Sequence, residues 1–376
     1  MPADLRPALA LARGGSDHLV DELAALVTQE SPSSDLAALA ATVDVVAAIG
    51  AGCLGIPPER IETGGRTHLR WSFGGDAKVV LIGHLDTVWP IGTTADWPFQ
   101  IADGRASGPG AFDMKAGLVQ GFHALAALHD LEGVVFLVTS DEEIGSPTSR
   151  SLIEETARGA RAALVLEPSA TGGALKTARK GVSMYELAIT GREAHAGLEP
   201  ERGVNALVEL AHQVVALERL ARPAVGTTVT PTVASAGTAT NTVPAAASVR
   251  VDVRSSSVDE QDRVDKEMRE LAVTVPGARV EVQGGPNRPP LAASSSRALF
   301  DRARGLADQL GLSPFDGVEV GGGSDGNFTA AIGVPTLDGL GAVGDGAHAR
   351  SEHVQIGTMA ERSALVAALV AALLED

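Results

Sequence analysis

His84, Asp86, Asp113, Asp141, Glu142, Glu143, Glu167 and His348 are the residues whose types and places suggest chemistry. Most of them stand just behind short apolar runs: "KVVLIG" (78–83) before His84-Leu85-Asp86, "GVVFLVT" (133–139) before "SDEE", and "AALVL" before Glu167. Asp113 follows "ASGPGAF", and "GVPTLDGLGAVGDGAHA" delivers His348. Taken singly, each has an ordinary explanation, a loop acid, a structural histidine, or a helix cap in the case of Asp113 before "MKAGL". Jointly they put imidazoles and carboxylates at one edge of an open sheet, where α/β proteins bind their ligands. Imidazole and carboxylate without thiolate is the donor set of a hydrolytic zinc, cobalt or manganese site. Two histidines with three or more carboxylates exceed what one zinc takes, and suit two ions about 3.5–4 Å apart.

Three adjacent acids, Asp141-Glu142-Glu143, would repel one another without compensation. Neighbours in extended chain point in different directions. One glutamate can therefore bind metal while the other faces an attacking water as general base, with Asp141 left to stabilise the turn.

The elements that must position these groups are legible in the pattern. Strand, helix, strand, helix, strand runs from residue 78 to 167, with Leu118, Phe122, Leu125 and Leu128 at helical spacing between the first two strands. This predicts an α/β domain with a mostly parallel sheet. A helix is expected after "SPSSD", and "GAGCLG" (50–55) is expected to end it as a glycine turn. Its glycine spacing mimics a nucleotide loop, but no strand precedes it and two prolines follow. Near residue 175 alternating strands appear with helices segregated among them, which predicts an α+β insert. The expected organisation is a catalytic domain in two parts, residues 1–175 and 286–376, interrupted by a domain over 176–285.

Composition narrows the classes. The chain of 376 residues is 44% hydrophobic and 20% charged, as a folded protein of two domains should be. A net charge of −17 argues against nucleic acid and anionic membranes as partners. The single cysteine, Cys53, fits a reducing cytoplasm, and the N-terminal stretch lacks a signal-peptide pattern. No uninterrupted apolar run reaches roughly 18 residues, so no membrane span is expected.

The motifs "GHLDTVWP" (83–90), "GPGAFDMKAG" (108–117), "SDEEIGS" (140–146), "LEPS" (166–169), "AHAGLEPERGVNAL" (194–207), "NTVP" (241–244), "GGGSDGN" (321–327) and "GAHARSEHV" (346–354) run along nearly the whole chain. In this order they resemble the M20 family of dinuclear metallopeptidases, and most its glutamate-carboxypeptidase (carboxypeptidase G2-like) branch. The resemblance implies a zinc-exopeptidase fold with an inserted lid and dimerisation domain. It implies two zinc ions, with cobalt or manganese as alternatives, held by His84 and Glu167 on one side, Glu143 and His348 on the other, and Asp113 between them ahead of a cis peptide. His348 rather than His353 is the matching ligand. Glu142 would be the general base, Asp86 would orient the His84 imidazole, and His195 would donate to the oxyanion. Substrate carboxylate recognition would fall to Arg254, Asn241, the backbone of Gly322 and Gly323, and Arg288. The implied reaction is hydrolysis of an amide beside a free carboxylate in an N-acyl amino acid or short peptide, releasing glutamate. N-acyl-amino-acid deacylase, dipeptidase and desuccinylase activities are the alternatives, and a non-catalytic binding member of the fold is the competing class. A homodimer through the insert is the implied assembly.

Overall fold

The computed structural model describes residues 5–14 and 16–375. The chain divides into two compact units, one formed by residues up to Ala178, Leu291–Val320 and the stretch from Ser324 onward, the other by Arg179–Pro290 with Gly321–Gly323.

In the first unit a six-stranded sheet has the spatial order Glu59–Thr63, Arg66–Ser72, Val134–Thr139, Val79–His84, Ala162–Val165, Thr336–Leu337. Pairings from Val134–Thr139 across to Thr336–Leu337 are parallel, whereas Arg66–Ser72 joins both its neighbours antiparallel. The sheet is therefore mixed, its parallel half carrying the candidate site. Its central strands are buried on both faces, and alternate residues belong to different cores. Val79, Leu81, Val134, Phe136 and Leu164 pack into one cluster with the helices Ala116–Ala126 and Met359–Glu375. Val80, Ile82, Val135, Leu137 and Ala163 pack into another with Ile153 and Phe328. The period of two in side-chain direction, with apolar residues at every position, produces a sheet covered on both sides.

Register places the functional strand ends together. His84 pairs with Thr139, and Ile82 with Val165, so the segments following all three strands emerge at one edge. A smaller sheet, in which His353–Gln355 pairs with both Gly344–Asp345 and Arg105–Ser107, ties the loop bearing His348 to the strand preceding the Asp113 segment.

Helix Leu36–Leu54 begins at Asp35, whose side chain accepts from the amides of Ala37 and Ala38, and ends at Gly55 with φ +72. Only the last glycine of "GAGCLG" thus terminates the helix, which runs through Gly50 and Gly52 where a turn was expected. Leu36–Leu54 and Ile356–Glu375 are long and apolar enough, by length and composition, to cross a membrane, which corrects the expectation that no segment would be. Their apolar residues have a destination in the fold: Leu39, Val43, Val46, Leu365, Val366 and Leu369 all lie in the first core.

The second unit is a four-stranded antiparallel sheet in the order Thr228–Ala236, Ala246–Ser255, Gly181–Thr190, Arg279–Arg288. Strand Gly181–Thr190 alternates buried and exposed residues. Its Tyr185, Leu187 and Ile189 join Leu210 and Leu217 of helix Ala206–Glu218 and Val264 and Met268 of helix Val258–Arg269 in one core.

Candidate dinuclear metal centre

His84 is buried at the end of its strand, and its Nε2 lies 3.4 Å from Asp113 Oδ1 and 3.5 Å from Glu167 Oε1. On the other side of Asp113, Oδ2 lies 3.4 Å from His348 Nε2, which is 3.2 Å from Glu143 Oε2. Two triads, His84–Asp113–Glu167 and Asp113–Glu143–His348, therefore share one carboxylate. The bond from Asp113 to Met114 is cis. Asp113 does not cap the helix that follows: Lys115 holds the cap position and makes no side-chain capping bond.

The spacing discriminates between ion pairs and ligands. Charge-assisted N–H···O bonds draw in to about 2.7–2.9 Å. Donors about 2.0–2.1 Å from a tetrahedral ion stand about 3.3 Å apart. The four separations match the second value. His84 Nε2 and Asp113 Oδ1 are also buried with no hydrogen-bond partner among the described residues, which native proteins rarely tolerate. The residues present fit two ions, one against His84, Asp113 and Glu167, the other against Asp113, Glu143 and His348.

Electrostatics agrees. Burial opposes a charge on His84, yet the nearby carboxylates of Asp113, Asp86, Glu167 and Glu142 hold its pKa well above the ordinary value. Asp113 and Glu143 raise that of His348 to about 10. Burial and the charge of Asp113 push Glu143 up, against the effect of His348. So much negative charge in little solvent draws protons onto the imidazoles, and cations relieve the same repulsion. Lys176, which the sequence did not single out, brings its Nζ to 3.9 Å from Glu167 Oε2.

Asp86 meets the His84 ring chiefly through its backbone. The atom nearest His84 Nδ1 is the backbone oxygen of Asp86, at 2.9 Å, with the carboxylate at 3.5 Å. A carbonyl accepts only, so it puts the ring proton on Nδ1 and leaves Nε2 free to ligate. The buried carboxylate instead accepts from Ser33 Oγ at 2.6 Å and from the amides of Glu142 and Glu143 at 3.1 and 3.2 Å, anchoring the acidic turn. Asp141 accepts from Thr148 and Ser149, so the turn role foreseen for it is what the structure shows. Ser146, in the same motif, and His348 have φ of 59° and 60°, in the left-handed region that non-glycine residues seldom occupy and that concentrates at functional sites.

Glu352 was missed by sequence reasoning. It is fully buried and accepts from the amides of Phe112 and Asp113 through Oε1 and from the Gly110 amide and Trp89 Nε1 through Oε2. Burial pushes its carboxyl up to about 7, against those backbone donors. The only hint in the sequence was its place within "GAHARSEHV". His353, in contrast, holds the Ser351 carbonyl through Nδ1.

The remaining predicted residues lie in the second unit. His195 is exposed on a two-residue strand paired with Thr242–Val243, beside Asn241, whose carbonyl accepts from Ala196. Its Nδ1 accepts from the amides of Gly197 and Leu198, both at 3.1 Å, which leaves the ring proton on Nε2 as an outward donor. Arg254 is held bidentate by Asp252 at 2.8 and 2.7 Å, a pairing that an incoming carboxylate must compete with. The carbonyls of Gly322 and Gly323 accept from Arg179. Arg288 is buried, with its carbonyl bound by Gln261.

One backbone contact sets the place of Glu167. A Cβ on Gly341 would stand 2.2 Å from the Leu166 oxygen and 2.9 Å from the Glu167 oxygen, so Gly341→Ala must displace this strand end. Metal affinity at the His84–Asp113–Glu167 position should fall by about 10–100-fold, as when other supports of a ligand are lost. Metal content after dialysis against graded chelator checks this, and an unchanged profile would contradict it.

The model of peptidase family M20/M25/M40 matches residues 80–372 of this chain. The chain belongs to this family. Members are hydrolases with dinuclear metal sites, and this chain has residue groups able to hold two ions. It is 33% identical to carboxypeptidase G2 of Pseudomonas sp. (strain RS-16) over 306 residues, covering 79% of this chain and 74% of that one. It is 29% identical to succinyl-diaminopimelate desuccinylase of Azoarcus sp. (strain BH72), covering 85% and 90% of the two chains. The M20 family metallo-carboxypeptidase Sso-CP2 of Sulfolobus solfataricus has the same fold, with a TM-score of 0.77 at 16% identity over 95% of this chain and 99% of that one. The family and its α/β fold therefore agree with the resemblance read from the motifs.

Proposed function

We propose that this M20 enzyme hydrolyses an amide beside a free C-terminal carboxylate, in an N-acyl amino acid or short peptide, and that the amino acid released is glutamate. The observation that carries the reading is the pair of triads meeting at Asp113, next to an acid, Glu142, assigned to neither. Two zinc ions bound there would acidify a water and polarise the scissile carbonyl. Glu142 takes the proton from the attacking water and returns it to the leaving amine. The buried Asp86 holds the turn, fixing where Glu142 and Glu143 leave the backbone. From the second unit, His195 is assigned as the donor to the developing oxyanion, the role its Nε2 proton suits. Arg254, Asn241, Arg288 and the backbone at Gly322 and Gly323 are assigned to the substrate carboxylate. The second unit is read as lid and dimerisation domain of a cytoplasmic homodimer.

The desuccinylase relative, matched over 90% of its length, favours a second reading in which the acyl group is recognised instead. The two separate in one experiment. The purified protein is stripped of metal, restored with zinc, cobalt or manganese, and assayed on two substrate series. One varies the C-terminal residue at constant acyl group, the other the acyl group at constant C-terminal glutamate. Metal-dependent turnover that tracks C-terminal glutamate supports the carboxypeptidase reading; turnover that tracks the acyl group replaces it with a deacylase. Failure of every substrate to turn over would overturn the proposed substrate class.

A further inference from the structure

A second group of metal-ligating side chains lies elsewhere in the first unit, formed by residues to which the sequence gave no chemistry. Glu22 on helix Asp17–Thr28, Cys53 on Leu36–Leu54 and His123 on Ala116–Ala126 converge, each half-buried, with one ligand atom apiece within 4.8 Å of the others. Glu22 uses both oxygens: Oε2 is 2.8 Å from His123 Nε2, and Oε1 is 3.4 Å from Cys53 Sγ. The sulfur is 4.0 Å from the same His123 Nε2.

His123 and the Cys53 thiol both donate to the one Glu22 carboxylate, which accounts for the two shorter distances, while the sulfur and the imidazole nitrogen are brought to 4.0 Å of each other. Two hydrogens, one on sulfur and one on Nε2, both point toward one carboxylate, and a single divalent cation can replace both. Around a tetrahedral ion with about 2.0–2.1 Å to nitrogen or oxygen and about 2.3 Å to sulfur, ligand atoms stand about 3.3–3.5 Å apart. The observed separations of 2.8, 3.4 and 4.0 Å bracket that range, so small side-chain rotations suffice. One thiolate, one imidazole and one carboxylate select zinc, cobalt or cadmium over magnesium, calcium or manganese. Partial exposure leaves the fourth position to water.

We infer that Glu22, Cys53 and His123 form a further binding site for a thiophilic divalent cation, which clamps three helices at a place separate from the two shared triads. This inference does not rest on the catalytic reading. The ion binds with release of the thiol proton to solvent, the ring proton of His123 lying on Nδ1 so that Nε2 can ligate, and involves no change of oxidation state.

The chain's single cysteine makes the test specific. Metal-free full-length protein is titrated with cobalt(II) while absorbance is followed. A thiolate-to-cobalt charge-transfer band in the near ultraviolet can arise only at Cys53, because the other metal residues offer nitrogen and oxygen alone. We expect that band, its abolition in Cys53→Ser with about one cobalt fewer per chain, and at least about tenfold weaker band formation in His123→Gln and Glu22→Gln. Circular dichroism of each variant establishes that it is folded. A titration to saturation without the band overturns the inference, as does a band that His123→Gln and Glu22→Gln leave unchanged. Failure of the catalytic reading would appear in turnover and leave the band intact.

Discussion

Glu142→Gln is expected to abolish turnover while the protein still binds about two ions at the shared triads, the loss in kcat being at least about 10²–10⁴-fold. The amide is close in shape to the carboxylate but cannot take a proton. The contact that shapes the turn, from the Glu142 amide to Asp86, belongs to the backbone and survives. Glu143→Gln should behave differently. Its carboxylate stands 3.2 Å from His348 Nε2, so its loss removes a ligand from the Asp113–Glu143–His348 group. One ion should then be held at least about tenfold more weakly, with the ion at His84 retained. Metal content by elemental analysis, measured beside kcat on the best substrate, separates the two roles. Equal metal loss in both variants would sink the division into base and ligand.

Glu352→Ala should produce the largest loss of stability, about 3–5 kcal/mol. Each buried donor stripped of its acceptor costs about 1–3 kcal/mol, and here the amides of Gly110, Phe112 and Asp113 and the Trp89 indole all lose theirs. The costs do not simply add, because solvent can enter the space left behind. Asp113 belongs to both triads, so freeing its backbone should also weaken both ions together, unlike Glu143→Gln. Denaturant unfolding of the metal-free protein reads the first effect, and chelator competition on the folded protein reads the second. A variant with the parent's stability and unchanged metal content would refute this account of Glu352. Glu352→Gln should fall between the two, since its remaining oxygen can serve only part of the donor set.

The sequence by itself determined which groups sit at the strand ends. An apolar run followed by His84, by the acidic turn or by Glu167 is a local pattern, and the strands form where the runs are. The helix ended by Gly55 and the turn held by Asp141 are local in the same sense, since their partners lie within a few residues. Family membership followed from the order of the motifs. A mostly parallel sheet was legible, but not which strands depart from it: Arg66–Ser72 pairs antiparallel with Val134–Thr139, because strand direction depends on the path of the connecting chain and not on the strand's own residues.

Only the tertiary structure decided which atoms meet across long stretches of chain. Glu352 reaches the Asp113 amide over 239 residues, and no periodicity reports such a contact. The motif resemblance gave Asp86 to the imidazole two residues away, which its backbone carbonyl holds, but its carboxylate also serves amides 56 and 57 residues distant. Nothing in the sequence links Glu22, Cys53 and His123, because each helix shows only its own periodicity. Their convergence is a property of how three helices pack, set by the burial of apolar faces against which Cys53 itself lies.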